Sequence, residues 1–197
     1  MLTNIARSEC GRVHGPNWLK WAGHLAGKDQ VIGLELGTFK GDSAEWFLDN
    51  IFTSPHSVYH CVDMFQGSVE HKQAGIDCTS NETITREKLA RFGDKVKIHV
   101  GYSAAVMTNE LAISEYPFLD FVYVDAAHDA MNVLRDAVLA FQLLKPNGVM
   151  VFDDYNWRVM PRPIDCPKMA VDAFISCYGD HLTVLGVTSQ YAIQKKA

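Results

Sequence analysis

The chain has 197 residues, with 18 Lys plus Arg against 23 Asp plus Glu, which gives a formal net charge of -5 with neutral histidines. Hydrophobic residues at 48% and charged residues at 21% are the proportions of one ordinary globular domain with a real core, and they exclude collagen-like repeats, coiled coil and general disorder. Mild acidity without clustered Lys and Arg argues against nucleic acid or an anionic membrane surface as the main partner. No apolar run reaches the span of a bilayer, and the first residues lack the basic-then-apolar order of a secretion signal. The five cysteines (Cys10, Cys61, Cys78, Cys166 and Cys177) are scattered without a Cys-x-x-Cys pair, so neither a disulfide framework nor a zinc cluster is expected. The expectation is a soluble cytoplasmic protein, with a helical segment over 1–30 and a single domain over 31–197.

Trp18, Leu19, Trp21, Ala22 and Leu25 recur at helical spacing and stop at Gly27. Val31 to Leu36 is a short apolar strand, followed by a turn with glycines at 37 and 41 and a helix from Ser43 to Ile51. Ser57 to Val62 is a strand ending on Asp63. The polar stretch from Gln66 to Ser80 is longer than most connections in compact domains and reads as a functional loop. Thr79-x-x-Glu82 reads as a capping box for a helix running to Phe92, with Gly93 past its end. Val96 to Val100 is a strand, Ala104 to Leu111 a helix, and Phe121 to Val124 a buried strand ending at Asp125. Asp129 caps a helix with Leu134, Val138 and Phe141 on one face, which Lys145-Pro146-Asn147-Gly148 stops. Val149 to Phe152 is a strand ending at Asp153-Asp154. A Pro-rich loop, a helix over Met169 to Cys177 and two short strands, Leu182 to Leu185 and Tyr191 to Ile193, complete the chain.

Five apolar strands alternating with helices imply right-handed crossovers and a parallel sheet. The last two strands are too close for a crossover, so one runs antiparallel. The expected fold is α/β: a doubly wound, Rossmann-like, seven-stranded sheet, mostly parallel with an antiparallel C-terminal hairpin.

Ligands of such sheets bind beyond the carboxyl ends of the strands. Every one of the five main strands places a polar group there: Glu35 and its glycine turn, Asp63, Gly101-Tyr102-Ser103, Asp125-Ala126-Ala127-His128, and Asp153-Asp154. Together with Leu34-Glu35-Leu36-Gly37-Thr38-Phe39-Lys40-Gly41-Asp42-Ser43, this pattern resembles the class I S-adenosylmethionine-dependent methyltransferases. It is closest to small-molecule O-methyltransferases of the catechol type and the related bacterial group acting on sugars and antibiotics. The resemblance runs from about residue 31 to the C-terminus.

The resemblance implies S-adenosylmethionine as cofactor, contacted by Glu35, Gly37, Thr38, Phe39, Gly41, Ser43, Asp63, Met64, Phe65, Ser103 and Asp125. Glu35, Gly37 and Ser43 would hold the methionine end, Asp63 the ribose hydroxyls, and Met64 with Ser103 the adenine. The physical reading agrees, since an acid near Gly37 meets an amino group while a helix N-terminus meets a carboxylate. A dinucleotide fingerprint wants a middle glycine where Phe39 stands, which weighs against an NAD-type oxidoreductase. A binding module that has lost catalysis is the other alternative.

Neighbouring strand ends lie about 4.8 Å apart, so Asp125, Asp153 and Asp154 would converge, and like charges that close call for a cation between them. In the catechol-type enzymes the matching positions bind magnesium as Asp, Asp and Asn, so a divalent ion such as Mg²⁺ on Asp125, Asp153 and Asp154 is the expectation, Asp154 adding a charge. His128 stands where those enzymes place a catalytic lysine and is suited to general-base work beside Asp125. This departure shifts weight from a catechol toward the sugar and antibiotic group. His60 and His99 read as packing or edge residues, and His71 as a solvated histidine on a loop that can fold over the cofactor. Trp157, Arg158 and Arg162 are candidate walls of a substrate pocket. The expected partner is a small hydroxylated molecule, its choice falling to the loops at 64–81 and 154–168, helped by the N-terminal segment or the second subunit of a homodimer.

Overall fold

The computed structural model describes residues 9–112, 117–158 and 160–197. They form two compact units divided after Gly101. The first contains α1 (Glu9–Ala22), β1 (Ile32–Leu36), α2 (Asp42–Asn50), β2 (Val58–Asp63), α3 (Val69–Gln73), α4 (Asn81–Leu89) and β3 (Val96–Val100). Its strands lie in the order β3-β2-β1, all parallel.

Helix α1 begins well before its periodic apolar residues and carries Pro16 within it. The proline forfeits one backbone hydrogen bond, but the helix is held by its tertiary face. Gly15 lets α1 approach Trp46, because a Cβ there would stand 2.9 Å from the indole. Trp18 is fully buried, its ring 4.9 Å from that of Trp46 and 4.5 Å from that of Phe47. Phe47 and Phe52 continue this aromatic layer to Tyr59 on β2. Gly33 makes room for it, since a Cβ there would lie 2.5 Å from Phe52 and 2.6 Å from Tyr59.

The stretch expected as a loop from Gln66 to Ser80 contains α3. Here His71 Nδ1 accepts from the backbone N–H of Ser68 (3.2 Å), closing the first turn as a Glu would in a capping box. The capping box expected at Thr79 and Glu82 does not form. Thr79 donates both its N–H (2.9 Å) and its hydroxyl (2.8 Å) to Asp77, and Ser80 at the N-cap makes no side-chain capping bond. An aspartate turn competes with the cap and wins, and Glu82 pairs with Arg86 instead. Helix α4 ends at Leu89 rather than Phe92; a 3₁₀ segment, Ala90–Lys95, follows, with Gly93 at φ 60°. Thr85 of α4 donates to the carbonyl of Phe39 at 2.9 Å, which fixes this helix over the turn after β1.

The second unit contains α5 (Ser103–Val106), β4 (Leu119–Val124), α6 (Ala130–Leu143), β5 (Leu144–Phe152), α7 (Pro167–Tyr178), β6 (Leu182–Val187) and β7 (Tyr191–Lys195). The strand order is β4-β5-β7-β6, with β4 and β5 parallel and β7 antiparallel to both β5 and β6. The expected helix from Ala104 to Leu111 is a single α turn followed by a wider π-type turn over Met107–Leu111. Asp129 caps α6 as expected, accepting from Asn132 N at 3.0 Å. The buried face of α6 is Val133, Ala137, Ala140 and Phe141; Leu134 and Val138 are only half-buried. Lys145-Pro146-Asn147-Gly148 does not form a separate turn but opens β5, with Asn147 at φ 65° and a register shift against β4. The helix end is satisfied from elsewhere: Lys195 Nζ donates to the carbonyls of Phe141 and Leu144, each at 2.8 Å. Phe174 of α7 packs on Phe141 and Phe152 to close the core of this unit.

Three parallel strands in one unit, and two parallel strands with an antiparallel hairpin in the other, make up the Rossmann-like, mostly parallel seven-stranded fold expected. Among the described residues no helix is long and apolar enough to cross a membrane. Gly33→Ala should lower stability by about 1–3 kcal/mol through overpacking against Phe52 and Tyr59, read as a fall in thermal midpoint with little change in the far-ultraviolet circular dichroism.

Candidate functional site

The candidate residues lie in two groups, one in each unit. In the first, β1 delivers Glu35 into full burial. Its Oε1 accepts from the Ser43 hydroxyl at 2.5 Å, while Oε2 has no hydrogen-bond partner. The hydroxyl of Thr38 is likewise buried, has no partner at full hydrogen-bond geometry, and lies close enough to lower the Glu35 carboxyl. Burial pushes the Glu35 carboxyl up to about 8, against a smaller lowering by the Ser43 hydroxyl. The buried Glu35 oxygen without a hydrogen-bond partner, at the end of β1, is one that a cationic donor would satisfy.

The turn itself is set by backbone conformation. Gly37 has φ 92° and Gly41 φ 77°, values that favour glycine. Phe39 at φ 50° and Phe65 at φ 55° are left-handed without being glycine. Asp63 accounts for both: Oδ2 accepts from Phe39 N and Oδ1 from Phe65 N, each at 2.6 Å. One carboxylate thus ties the turn after β1 to the turn after β2, and its remaining lone pairs are available to further hydroxyl donors. Gly41 is the N-cap of α2 and supplies no side-chain cap, so the first amides of that helix are not closed by a side chain. The acids of that first turn are compensated, Asp42 by Lys88 and Glu45 by Arg91. Over this turn the His71 ring stacks on Phe39 at 4.8 Å. Met64 is half-buried beside Asp63.

In the second unit, Ser103 donates to both oxygens of Asp136, at 2.7 and 2.8 Å. Asp136 is buried on α6, and that burial raises its carboxyl above the ordinary value. Asp125, His128 and Asp154 come together, one ligand atom of each lying within 4.8 Å of the others. His128 Nε2 is 2.8 Å from Asp154 Oδ2, and its ring stacks on Trp157 with centroids 4.7 Å apart. Asp154, at φ 54°, starts a turn closed by Trp157 N donating to its carbonyl at 2.8 Å. Asp153 is not in this group. Its Oδ2 accepts from the Tyr123 hydroxyl, and its Oδ1 from Gln190 Nε2 (3.0 Å) and from Asp154 N (2.8 Å). Arg158 is exposed and Arg162 pairs with Asp165. His60 and His99 face each other on β2 and β3, 3.0 Å apart, and burial first of all pushes His60 down to about 4.

Tyr123, Gln190 and Asp136 are participants that sequence reasoning misses. The first is hidden in an apolar strand and the second in a turn, and neither carries a motif. Asp136 does show one signal, an acid on the buried face of an otherwise apolar helix.

A family model described as a methyltransferase domain matches residues 34–155. No curated protein matches. Among solved structures, the O-methyltransferase TomG from Streptomyces achromogenes, involved in tomaymycin synthesis and solved with S-adenosylmethionine, is 19% identical. The match covers 100% of this chain and 84% of that one, with a TM-score of 0.65. An O-methyltransferase from Bacillus cereus, solved with the demethylated cofactor, is 16% identical over 97% of this chain and 94% of its own, with a TM-score of 0.59. The N-methyltransferase NodS from Bradyrhizobium japonicum is 13% identical over 94% and 96%, with a TM-score of 0.56. At these identities the likeness is one of fold.

The raised Glu35 has a signed consequence. Its folded value of about 8 exceeds the ordinary 4.5, so its contribution to stability is present below about pH 4.5 and is lost as pH rises through 8. Melting curves of the unliganded protein and of Glu35→Gln should coincide near pH 5 and diverge toward pH 9, the parent falling below the variant.

Proposed function

Given that the chain belongs to the methyltransferase-domain family, we propose that it is an S-adenosylmethionine-dependent O-methyltransferase acting on a small hydroxylated molecule. The observation that carries the cofactor assignment is Glu35, a fully buried carboxyl with an oxygen that has no hydrogen-bond partner at the end of β1. When bound, the cofactor supplies a methyl group activated on a sulfonium. Glu35 and Thr38 hold its amino group, and the uncapped first amides of α2 hold its carboxylate. Asp63 accepts from the ribose hydroxyls while keeping its two backbone bonds. Phe39, Gly41, Met64 and Phe65 shape the turns around it, and Gly37 admits the close approach.

Asp154 supports the choice of oxygen as acceptor. By accepting from Nε2 it selects the tautomer of His128 whose basic lone pair is on Nδ1, and Trp157 fixes the plane of the ring. His128 is then the candidate base, oriented by a carboxylate, with Nδ1 enclosed within the fold. Asp125 supplies a second negative charge beside it.

A second reading is favoured by the grouping of Asp125, His128 and Asp154. Two carboxylate oxygens and one imidazole nitrogen at that spacing suit a divalent cation, which would polarise the acceptor oxygen in place of a base. The donor set then differs from the Asp125, Asp153 and Asp154 expected from sequence, because the carboxylate of Asp153 is engaged by Tyr123, Gln190 and Asp154.

Calorimetry should show binding of S-adenosylmethionine and of its demethylated product; no binding of either would end this proposal. At pH 7, titrations in buffers of different ionisation enthalpy should show close to one proton released per cofactor, as the amino group displaces the proton of Glu35, and none in Glu35→Gln. Asp63→Ala should weaken cofactor binding about tenfold to a hundredfold. With an accepted hydroxylated substrate, His128→Ala should lower kcat by about 10²–10⁴ with cofactor affinity unchanged. Dialysis against a chelator separates the two readings: activity persists if His128 is the base and disappears if a cation is required.

A further inference from the structure

The two adjacent aspartates at the end of β5 have different surroundings, and the difference assigns them different work. Asp153 is enclosed by Tyr123 of β4 and by Gln190 of the β6–β7 turn, both fully buried. Gln190 Nε2 donates to the Tyr123 hydroxyl at 3.1 Å and to Asp153 at 3.0 Å, so the three side chains form a closed ring of hydrogen bonds. A backbone bond leads from this ring toward the candidate site: Asp154 N donates to Asp153 Oδ1. That bond lies at the residue whose backbone is left-handed without being glycine, a conformation that needs external support. The same turn between β6 and β7 reaches one step further, its Thr188 carbonyl accepting from Asn156 Nδ2 at 2.7 Å.

We propose that Asp153 is a positioning residue: with Tyr123 and Gln190 it braces the Asp154–Trp157 turn, and through that turn it sets the carboxylate and the indole that hold His128. The proposal rests on the assignment of His128 as base and Asp154 as its orienting carboxylate. Asp153 contributes through the bonds it accepts rather than through contact with the reacting atoms. The closing hairpin thereby becomes part of the catalytic apparatus, since its turn holds both Asp153 and Asn156.

The chain supplies its own probe. Of its four tryptophans, Trp18, Trp21 and Trp46 are at most 3% exposed, and Trp157 alone is partly exposed. Acrylamide quenching of the protein without cofactor or acceptor therefore reports the Asp154–Trp157 turn, with Trp157→Phe as the control that removes the signal. Tyr123→Phe and Gln190→Leu should each raise the quenching constant about twofold as the turn loosens. They should also lower kcat about tenfold while leaving the KM for cofactor unchanged. Asp153→Asn, which keeps the oxygen that accepts from Asp154 and Gln190, should stay within about threefold of the parent, whereas Asp153→Ala should not. Parent-like quenching in both Tyr123→Phe and Gln190→Leu would overturn the proposal, as would equal losses in Asp153→Asn and Asp153→Ala. Should Tyr123→Phe not fold, Gln190→Leu carries the test. Because quenching needs no turnover, it decides the bracing role even where the assigned reaction fails.

Discussion

Two backbone N–H groups from different turns meet on one carboxylate, and the first unit depends on that meeting. Phe39 follows β1 and Phe65 follows β2, and both adopt left-handed backbone that costs about 1–3 kcal/mol without compensation. Asp63 supplies the compensation with two short charge-assisted bonds. Once Phe39 is held there, its carbonyl is in place for Thr85, and its ring offers a face to His71. Helix α4 and the segment around α3 are thus organised from the same point, with Thr38 on the turn so formed and Glu35 before it on β1.

The second unit solves a different problem, the crowding of acids at the ends of parallel strands. Each carboxylate there has its own answer. Asp153 accepts from a phenol, an amide and a backbone N–H; Asp154 meets an imidazole; Asp136, set back within its helix, meets the Ser103 hydroxyl. Among the described residues only Asp125 and Asp154, with His128, are arranged as donors around a common point. Burial and pairing divide one residue type into structural and chemical members, and the net charge of the chain says nothing about that division.

Much of this was legible from period and punctuation. The strands were visible as short β-branched and aromatic runs, and Asp129 announced its helix because an N-cap is a purely local bond. Thr79 and Glu82 misled because Asp77, two residues upstream, competes for the same hydroxyl. Lys145 to Gly148 misled because a stretch with turn composition is recruited into a strand by its neighbours and by Lys195, about fifty residues later in the chain. At the candidate site, the acids and His128 could be found as strand-end polar groups. The distinct fate of Asp153 could not, since it is decided by Tyr123 and Gln190, which are distant in sequence, and by a backbone angle at Asp154 that no spacing rule foretells.

The contacts assigned to Glu35, Thr38 and Asp63 also bear on how the cycle closes after methyl transfer. They address an amino group and a ribose, and methyl transfer alters neither; only the sulfonium becomes a thioether. The grip proposed for these residues would therefore be the same before and after turnover, and the drive for release would come from elsewhere than the cradle around Glu35. With the cofactor held as proposed, its spent form would compete with it for the same cradle.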